Sequence, residues 1–267
     1  MGKNRTALML LGLALLPSWL SVAQAQDSSD LAKAAQNPVA SMISLPFQNN
    51  TNFNVGPEEK TQNILNIQPV WPFSVGEDWN LITRTILPVI SQPAFNAGQS
   101  RENGIGDLNF TAFLSPKNSG KWIWGVGPTV VMPTAADDRL GSDRWQMGVS
   151  AVVLTMPGQW VLGALVSNVW SVGGSSDPDV NFFTLQPFIN YNFSKGWYFT
   201  SAPVINANWE ADSGNKWTIP IGGGFGKIFR VGKQPMNAQA QVFYNVETPD
   251  NGPDWQLRLQ LQLLFPK

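Results

Sequence analysis

Cysteine and histidine are both absent from the 267-residue sequence. Without cysteine the chain cannot form a disulfide, so its fold depends on packing and hydrogen bonds alone. Without histidine it lacks the imidazole on which Ser-His-Asp catalysis, most zinc sites and proton relays near neutral pH depend. Catalysis would have to use carboxylates, lysine or tyrosine. We therefore predict a protein that is not an enzyme and that carries neither a metal ion nor another cofactor.

Charge is also scarce, since charged residues make up 13% of the sequence and the formal net charge is −1. No basic stripe exists, so nucleic acid is not expected as a partner. No apolar run approaches the roughly 20 residues of a transmembrane helix. The shorter run "ALMLLGLALL" (7–16) follows Lys3 and Arg5 and precedes Ala23-Gln24-Ala25. This order is typical of a secretory signal peptide, here residues 1–25, cleaved before Gln26.

Residues 26–39 are predicted to form an N-terminal periplasmic segment or plug. Their stretch "DLAKAAQ" (30–36) can form one or two helical turns with Ser or Asp as N-cap, and Pro38 marks a boundary. The remaining residues, 40–267, form the main domain.

In this main domain apolar and polar residues alternate, as they do in β-strands. In "DWQLRLQLQLLF" (254–265), Trp and Leu occupy one face, and Gln and Arg occupy the other. The polar faces of such segments carry Gln, Asn, Ser and Thr rather than the Lys and Glu of a surface exposed to bulk water. This composition indicates a barrel lumen on one side and lipid on the other. We predict an all-β fold, a transmembrane antiparallel β-barrel of about twelve strands.

Twelve segments fit the pattern: 40–48, 62–72, 79–90, 105–114, 122–132, 145–156, 160–171, 181–193, 197–209, 216–226, 236–247 and 254–265. Their connections alternate in length, with 49–61, 91–104 and 133–144 long, and 73–78, 115–121 and 157–159 short. Long outer loops and short periplasmic turns are expected of an outer-membrane barrel. The connection 227–235 is longer than this rule predicts.

The tryptophans fall near the ends of the predicted strands rather than in their middles. One group lies at the periplasmic ends, namely Trp71, Trp79, Trp122, Trp124, Trp160 and Trp197. The other lies at the outer ends, namely Trp145, Trp170, Trp209, Trp217 and Trp255. Two such belts are expected where aromatic side chains meet the two membrane interfaces. The alternative, a secreted soluble sandwich, would bury its tryptophans in the strand middles.

Three charged residues, Arg84, Asp107 and Arg258, fall within predicted strands. Exposing arginine to lipid at mid-depth costs about 2–4 kcal/mol, so all three are expected to face the lumen. Arg84 and Asp107 lie on consecutive antiparallel strands and can pair. Either the three form a constriction that selects solutes by charge, or an ion pair holds a lumen plug or closes the interior. Further pore-lining residues are predicted to be Asn66, Gln68, Asn109, Gln186, Gln241 and Gln260.

The stretch "IPIGGGFGKIF" (219–229) resembles a phosphate-binding loop only superficially. It lacks the glycine spacing and the Ser or Thr of a Walker loop, and no helical pattern follows it. Alternation places Gly222, Gly224 and Gly226 on the lumen face as a strip almost without side chains. Glycine within a strand often marks close approach or a sharp bend. We expect a bulky lumen side chain or the N-terminal segment to pack there, or the wall to curve sharply.

Four stretches resemble a family of Gram-negative proteins: "QNPVASMISLPFQNNTNFNVGP", "NIQPVWPFSVGEDWNLITRTILPVI", "GIGDLNFTAFLSP" and "TSAPVINANWEADSGNKWTIPIGGGFGKIF". The family is labelled as transporters of the meta-cleavage pathway of phenol degradation, and some members carry the label neuromedin U. The resemblance covers about Asn37 to Lys267 and implies an outer-membrane barrel with a transport role. A related branch is similar to the twelve-stranded channel that exports functional amyloid subunits. The dozen or so residues between Gln26 and the first predicted strand are too few for the long N-terminal periplasmic region of that channel, which argues against amyloid export.

We therefore expect a passive outer-membrane channel or transporter for small solutes, with apolar or aromatic ones as candidates. The alternatives are a plugged structural or adhesive barrel, an export channel and an outer-membrane lipid enzyme. The expected location is the outer membrane of a Gram-negative cell. The expected partners are outer-membrane lipid and lipopolysaccharide, reached through divalent ions at the acidic outer loops, and the barrel-assembly machinery.

Overall fold

The computed structural model describes residues 29–96, 98–174 and 179–266. The predicted signal peptide and residues 26–28 of the predicted N-terminal segment lie outside the described residues. A short helix covers residues 29–35. The strands are β1 (Ile43–Val55), β2 (Lys60–Ile67), β3 (Val70–Val75), β4 (Trp79–Gln92), β5 (Glu102–Ile105), β6 (Leu108–Pro116), β7 (Ile123–Met132), β8 (Arg144–Thr155), β9 (Trp160–Gly174), β10 (Asn181–Asn192), β11 (Trp197–Ser201), β12 (Ile205–Asn208), β13 (Trp217–Val231), β14 (Gln234–Glu247) and β15 (Trp255–Phe265).

These segments form a closed antiparallel barrel of 12 strands, which confirms the predicted fold class. The ring closes where β15 pairs with β1, from Ile43 opposite Phe265 to Phe53 opposite Trp255. Three barrel strands are interrupted, between β2 and β3, between β5 and β6, and between β11 and β12. The first and third breaks contain a proline, Pro69 and Pro203, which cannot donate a hydrogen bond to the sheet.

The outer face of the barrel is apolar. Side chains such as Val149, Ile221, Phe225 and Val242 point outward and are about half exposed or more. A continuous exposed apolar band is unfavourable in water and matches the lipid-facing surface of a transmembrane barrel.

Within the described parts of the chain, no helix is long and apolar enough to cross a bilayer.

Two ends of the barrel are distinguished by their connections. The turn end carries the short connections 76–78, 117–122, 156–159, 193–196 and 232–233, and the loop end carries 93–101, 133–143, 209–216 and 248–254. Most tryptophans are exposed, and they form the two predicted belts. At the turn end Trp79 meets Trp124, with 6.0 Å between ring centroids. At the loop end Trp209 meets Trp217, with 5.4 Å between ring centroids.

Two predicted connections were wrong. β1 runs on to Val55, so the predicted long loop 49–61 shrinks to residues 56–59. Asparagine is disfavoured in strands, which made this stretch resemble a loop. In the barrel, however, the Asn49 and Asn52 side chains are hydrogen-bonded to Asn63 and Gln62 on β2, so their polar groups are satisfied within the sheet.

The second wrong connection is 227–235. β13 extends to Val231 and β14 begins at Gln234, which leaves a two-residue turn at Gly232 and Lys233. Gly232 has φ +60°, a value that glycine adopts at little cost. Lys227 is therefore a strand residue, and its ammonium lies 4.8 Å from the centre of the Trp197 ring in the turn-end belt. The connection between β13 and β14 is therefore as short as the other turns at this end of the barrel.

Candidate functional site

One side of the lumen is a wall of neutral amide side chains on β14, β15, β1 and β2. Asn237 donates to Gln262 at 3.1 Å, and Gln256 donates to Asn52 at 2.9 Å, each between neighbouring strands. Amides offer both donors and acceptors without fixed charge. This wall can therefore hydrogen-bond water or a polar solute without attracting ions of either sign.

Arg258 on β15 is held in this wall by neutral groups. Its Nε donates to Asn50 Oδ1 at 3.1 Å, its Nη1 to the Ala202 carbonyl at 2.7 Å and its Nη2 to Gln256 Oε1 at 3.0 Å. The guanidinium also lies 4.8 Å from the centre of the Phe243 ring. Only 3% of Arg258 is exposed. These contacts fix the position of the positive charge but do not neutralise it.

Arg84 on β4 also faces the lumen. Its Nη2 donates to Gln68 Oε1 at 2.7 Å, and this is its one hydrogen bond with the described residues. Gln68 lies in the break between β2 and β3, where its backbone N–H donates to the Pro46 carbonyl at 2.9 Å. Most of the donors of Arg84 are therefore available to the lumen.

The predicted pair between Arg84 and Asp107 does not form. Asp107 lies in the break between β5 and β6, where its carboxylate accepts from Ala135 N at 3.2 Å, Ser142 N at 2.7 Å and Ser142 Oγ at 3.0 Å. Asp107 thus holds the connection 133–143 across the loop end and does not line the central lumen. Sequence alternation could not show this, because the break at Gly106 and Asp107 interrupts the register.

Two cavities fill the central lumen, one of about 170 Å³ towards the turn end and one of about 440 Å³ towards the loop end. Six residues line both cavities and mark the place where they meet, which we call the waist: Gln48, Gln68, Arg84, Leu165, Gln186 and Arg258. Both arginines thus lie at the same level of the lumen.

The structure places the other predicted lining residues on the lumen wall. Asn66 and Asn109 line the cavity towards the loop end, and Gln241 and Gln260 line the one towards the turn end. Whether these residues line an open pore stays a prediction. Sequence reasoning missed Leu165, because the predicted strand 160–171 is apolar on both faces and its lumen side could not be identified.

The opposite wall of the lumen is apolar near the turn end. A buried cluster joins lumen-facing residues of β4, β6, β8, β9 and β10 to one residue of the N-terminal segment: Ile82, Phe113, Val152, Leu154, Val161, Leu165, Phe188 and Val39. Val39 is 4% exposed. A Cβ atom on Gly125 of β7 would lie 3.1 Å from Cγ1 of Val39, so the absence of a side chain there makes room for Val39.

The same N-terminal segment also reaches the other side of the barrel. Leu31, Ala32 and Met42 pack with lumen-facing Tyr198, Ile228 and Leu264 of β11, β13 and β15. Polar contacts complete the arrangement, since Gln36 donates to Asn192 on β10 at 2.9 Å and Asn80 on β4 donates to Ser41 at 2.9 Å. Residues 29–42 therefore cross the lumen from wall to wall at the turn end, and we call them the plug.

The glycine strip lies on the lumen face of β13, close to its neighbours. A Cβ on Gly222 or Gly224 would collide with the carbonyl oxygens of Val242 or Ala240 on β14. A Cβ on Gly226 would collide with the ring of Tyr198, which lies over it. At Gly222 and Gly224 the strip therefore allows the backbones of β13 and β14 to approach closely, and at Gly226 it makes room for the bulky side chain of Tyr198.

Tyr198 is 1% exposed, and its hydroxyl donates to Asn237 Oδ1 at 2.6 Å. We expect Tyr198→Phe to lower the free energy of unfolding by about 1–2 kcal/mol, because the buried Asn237 oxygen loses its donor. The ring stays in place, so barrel assembly should be retained. Equilibrium unfolding in detergent by tryptophan fluorescence measures the change. An unchanged stability would show that this bond contributes nothing net.

The loop end has its own cavity of about 960 Å³, lined by acidic side chains that include Asp107, Asp138, Asp143 and Asp179. Nearby, Arg139 donates to Asp137 and forms an ion pair with Glu102. The hydrogen bonds from Arg139 hold the pKa of Asp137 below its ordinary value. Within residues 29–96, 98–174 and 179–266, no group of acidic residues is arranged to hold a metal ion.

No protein-family model matches the sequence, and no curated protein matches it. Solved structures do match in fold. An outer-membrane channel from Pseudomonas putida F1 superposes with a TM-score of 0.66 at 18% identity, covering 86% of this chain and 96% of that chain. The CymD monoaromatic hydrocarbon channel matches with a TM-score of 0.46 at 11% identity, covering 90% and 91%. Outer-membrane phospholipase A from Escherichia coli matches with a TM-score of 0.44 at 13% identity, covering 84% and 96%.

At these identities the likeness is one of barrel fold. All three matches cover most of both chains, but the last two have TM-scores below 0.5 and support no argument. The resemblance to phenol-pathway transporters and to the amyloid export channel is tested by none of them and stays a prediction.

Proposed function

We propose that the protein is a passive channel for small solutes in the outer membrane of a Gram-negative cell. The observation that carries the proposal is a central lumen lined by neutral amides and interrupted at one level by two arginines. A barrel that served only as a structural element would gain more stability from a dry, apolar interior, since buried polar groups contribute little net free energy. Solute would pass by diffusion, with the waist as one barrier and the plug as the other.

The two ends of the barrel support an orientation. Short turns and both ends of the barrel domain lie at the turn end, which would face the periplasm, and the longer acidic connections would face outward. We propose that the acidic outer connections contact lipopolysaccharide through divalent ions, and that the barrel-assembly machinery inserts the chain. Apolar and aromatic solutes are candidates because Leu165, Phe113 and Phe188 give the lumen an apolar wall.

Conductance across planar lipid bilayers tests the channel. We expect stepwise current from the purified full chain, because the two lumen cavities meet at the waist. Heat-modifiable migration on a gel verifies in parallel that the barrel is folded. A folded protein that gives no current, with or without the plug, would contradict the proposal.

A closed structural barrel is the second candidate function, and the plug favours it. The segment buries Leu31, Ala32, Val39 and Met42 against both walls, which is the packing of a permanent seal. The two functions separate experimentally, because a permanent seal gives no current until the plug is removed, whereas a mobile plug gives intermittent current in the intact chain.

A further inference from the structure

The waist carries two positive charges without any negative one. Among the described residues, none of the side chains that line the two central cavities is Asp, Glu or Lys. The hydrogen-bond partners of Arg84 and Arg258 are amide and carbonyl oxygens. Ion pairs lie instead near the loop end, such as the one between Arg144 and Asp179. Arginine stays protonated across the physiological range, so both charges are present when solute passes.

Such an arrangement is incomplete without an anion. A guanidinium removed from bulk water is stabilised by an opposite charge, and its planar set of N–H donors matches a carboxylate in two parallel hydrogen bonds. All three guanidinium nitrogens of Arg258 donate to the wall, so this residue acts mainly through its charge. Arg84 uses one donor on Gln68 and directs the rest into the lumen. Arg84 is therefore the residue that can donate hydrogen bonds directly to a carboxylate.

The wall opposite the arginines is of a different kind. Arg258, Gln48, Gln68 and Arg84 follow one another around the barrel on β15, β1, the break after β2, and β4. Leu165 lies on β9, on the far side of the ring, and belongs to the apolar cluster that includes Phe113 and Phe188. A solute at the waist thus meets positive charge on one side and aliphatic and aromatic carbon on the other.

We propose that the waist binds and selects small organic anions that carry a carboxylate on an apolar body, of which benzoate is the simplest aromatic probe. The carboxylate meets Arg84 in the field of Arg258, and the apolar body lies against Leu165. This inference rests on the proposed channel function for its role in transport, but the binding site itself does not require that the barrel conduct. A neutral apolar solute matches only the apolar side of the waist, and an inorganic anion matches only the side with the arginines.

Two measurements test the inference separately. The first is the reversal potential of the intact protein in a potassium chloride gradient, which we expect to show anion preference. Arg84→Gln should reduce that preference, whereas Arg84→Lys should keep it, because lysine retains the charge. Arg101→Gln is the matched control, since Arg101 is exposed near the loop end and contacts Ser91 and Thr61.

The second measurement is equilibrium dialysis of radiolabelled benzoate against the folded protein in detergent. Unlabelled benzoate should compete, while acetate and benzyl alcohol should each compete about tenfold less well, because one lacks the apolar body and the other the charge. Arg84→Gln should weaken benzoate binding by about tenfold or more. Arg84→Lys should also weaken it, since the bidentate geometry is lost.

The outcomes distinguish this site from the channel itself. Current without anion preference, together with no benzoate binding, would overturn the inference and leave the channel intact. Benzoate binding that depends on Arg84 in a barrel that never conducts would support the site and overturn the channel. Anion preference without benzoate binding would overturn the inference, because the overall charge of the protein would then account for the preference. An equal loss of anion preference in Arg84→Gln and Arg101→Gln would overturn it for the same reason.

Discussion

Deletion of residues 29–40 is expected to raise the single-channel conductance of the barrel several-fold and to abolish its closures. The deleted residues include Leu31, Ala32 and Val39, which fill the turn end between the two lumen walls. The barrel itself should still close, because the pairing of β15 with β1 starts only at Ile43. Planar-bilayer recordings of the intact and shortened chains, inserted under the same conditions, measure the difference.

Point variants separate loss of the plug from loss of chain length. Val39→Asp places a carboxylate in the cluster of Ile82, Phe113 and Leu154, and an unpaired charge there is strongly unfavourable. It should mimic the deletion by expelling the plug from its seat. Lys33→Gln is the control on the same segment, since Lys33 forms no hydrogen bond or ion pair with the described residues. Its conductance should equal that of the unaltered protein.

A cysteine lock then shows whether the plug moves. Gln36 and Asn192 exchange hydrogen bonds at 2.9 and 3.2 Å, and the native chain contains no cysteine that could interfere. In the double variant Gln36→Cys with Asn192→Cys, oxidation should silence the current and a reducing agent should restore it. Equal currents in the intact, locked and shortened proteins would mean that the plug is no barrier.

Gly224→Leu is expected to lower the free energy of unfolding by about 3 kcal/mol or more, or to prevent assembly altogether. The added side chain would collide with the backbone carbonyl of Ala240 on β14, which cannot move without breaking strand pairing. Gly222→Leu meets the Val242 carbonyl and should behave alike. Heat-modifiable migration and urea unfolding of refolded protein measure both effects.

The loss of stability in Gly226→Leu should be reversible by a second substitution, unlike the losses in Gly222→Leu and Gly224→Leu, because the added leucine collides with a side chain rather than with the backbone. The new atoms would collide with the ring of Tyr198, so a second substitution, Tyr198→Ala, should recover much of the lost stability. The same second substitution should not rescue Gly224→Leu. Gly173→Ala is the neutral control, since a Cβ atom there meets nothing within 4 Å. Equal losses at Gly173 and Gly224 would contradict the assigned close approach.

Outward-facing residues of the barrel were readable from the sequence because lipid imposes a simple rule on them. Apolar residues that alternate with amides, and tryptophans at strand ends, can be recognised in the sequence without knowing any distant contact. The same rule identified Arg84 and Arg258 as lumen residues, since neither could face lipid. It failed where strands were interrupted, as at Asp107, because a break shifts the alternation on which the rule depends.

The sequence by itself determined the class of fold, the number of strands and the belts, since these follow from local alternation and from the chemistry of the membrane interfaces. Only the tertiary structure showed that neither Arg84 nor Arg258 has a carboxylate partner among the described residues. It also decided which apolar residues turn inward, because Leu165 and Phe188 lie in the lumen where the plug and the apolar cluster enclose them. The partners of the arginines and the residues of the apolar cluster depend on which strands face each other across the barrel. A local sequence pattern carries no information about distances across the lumen.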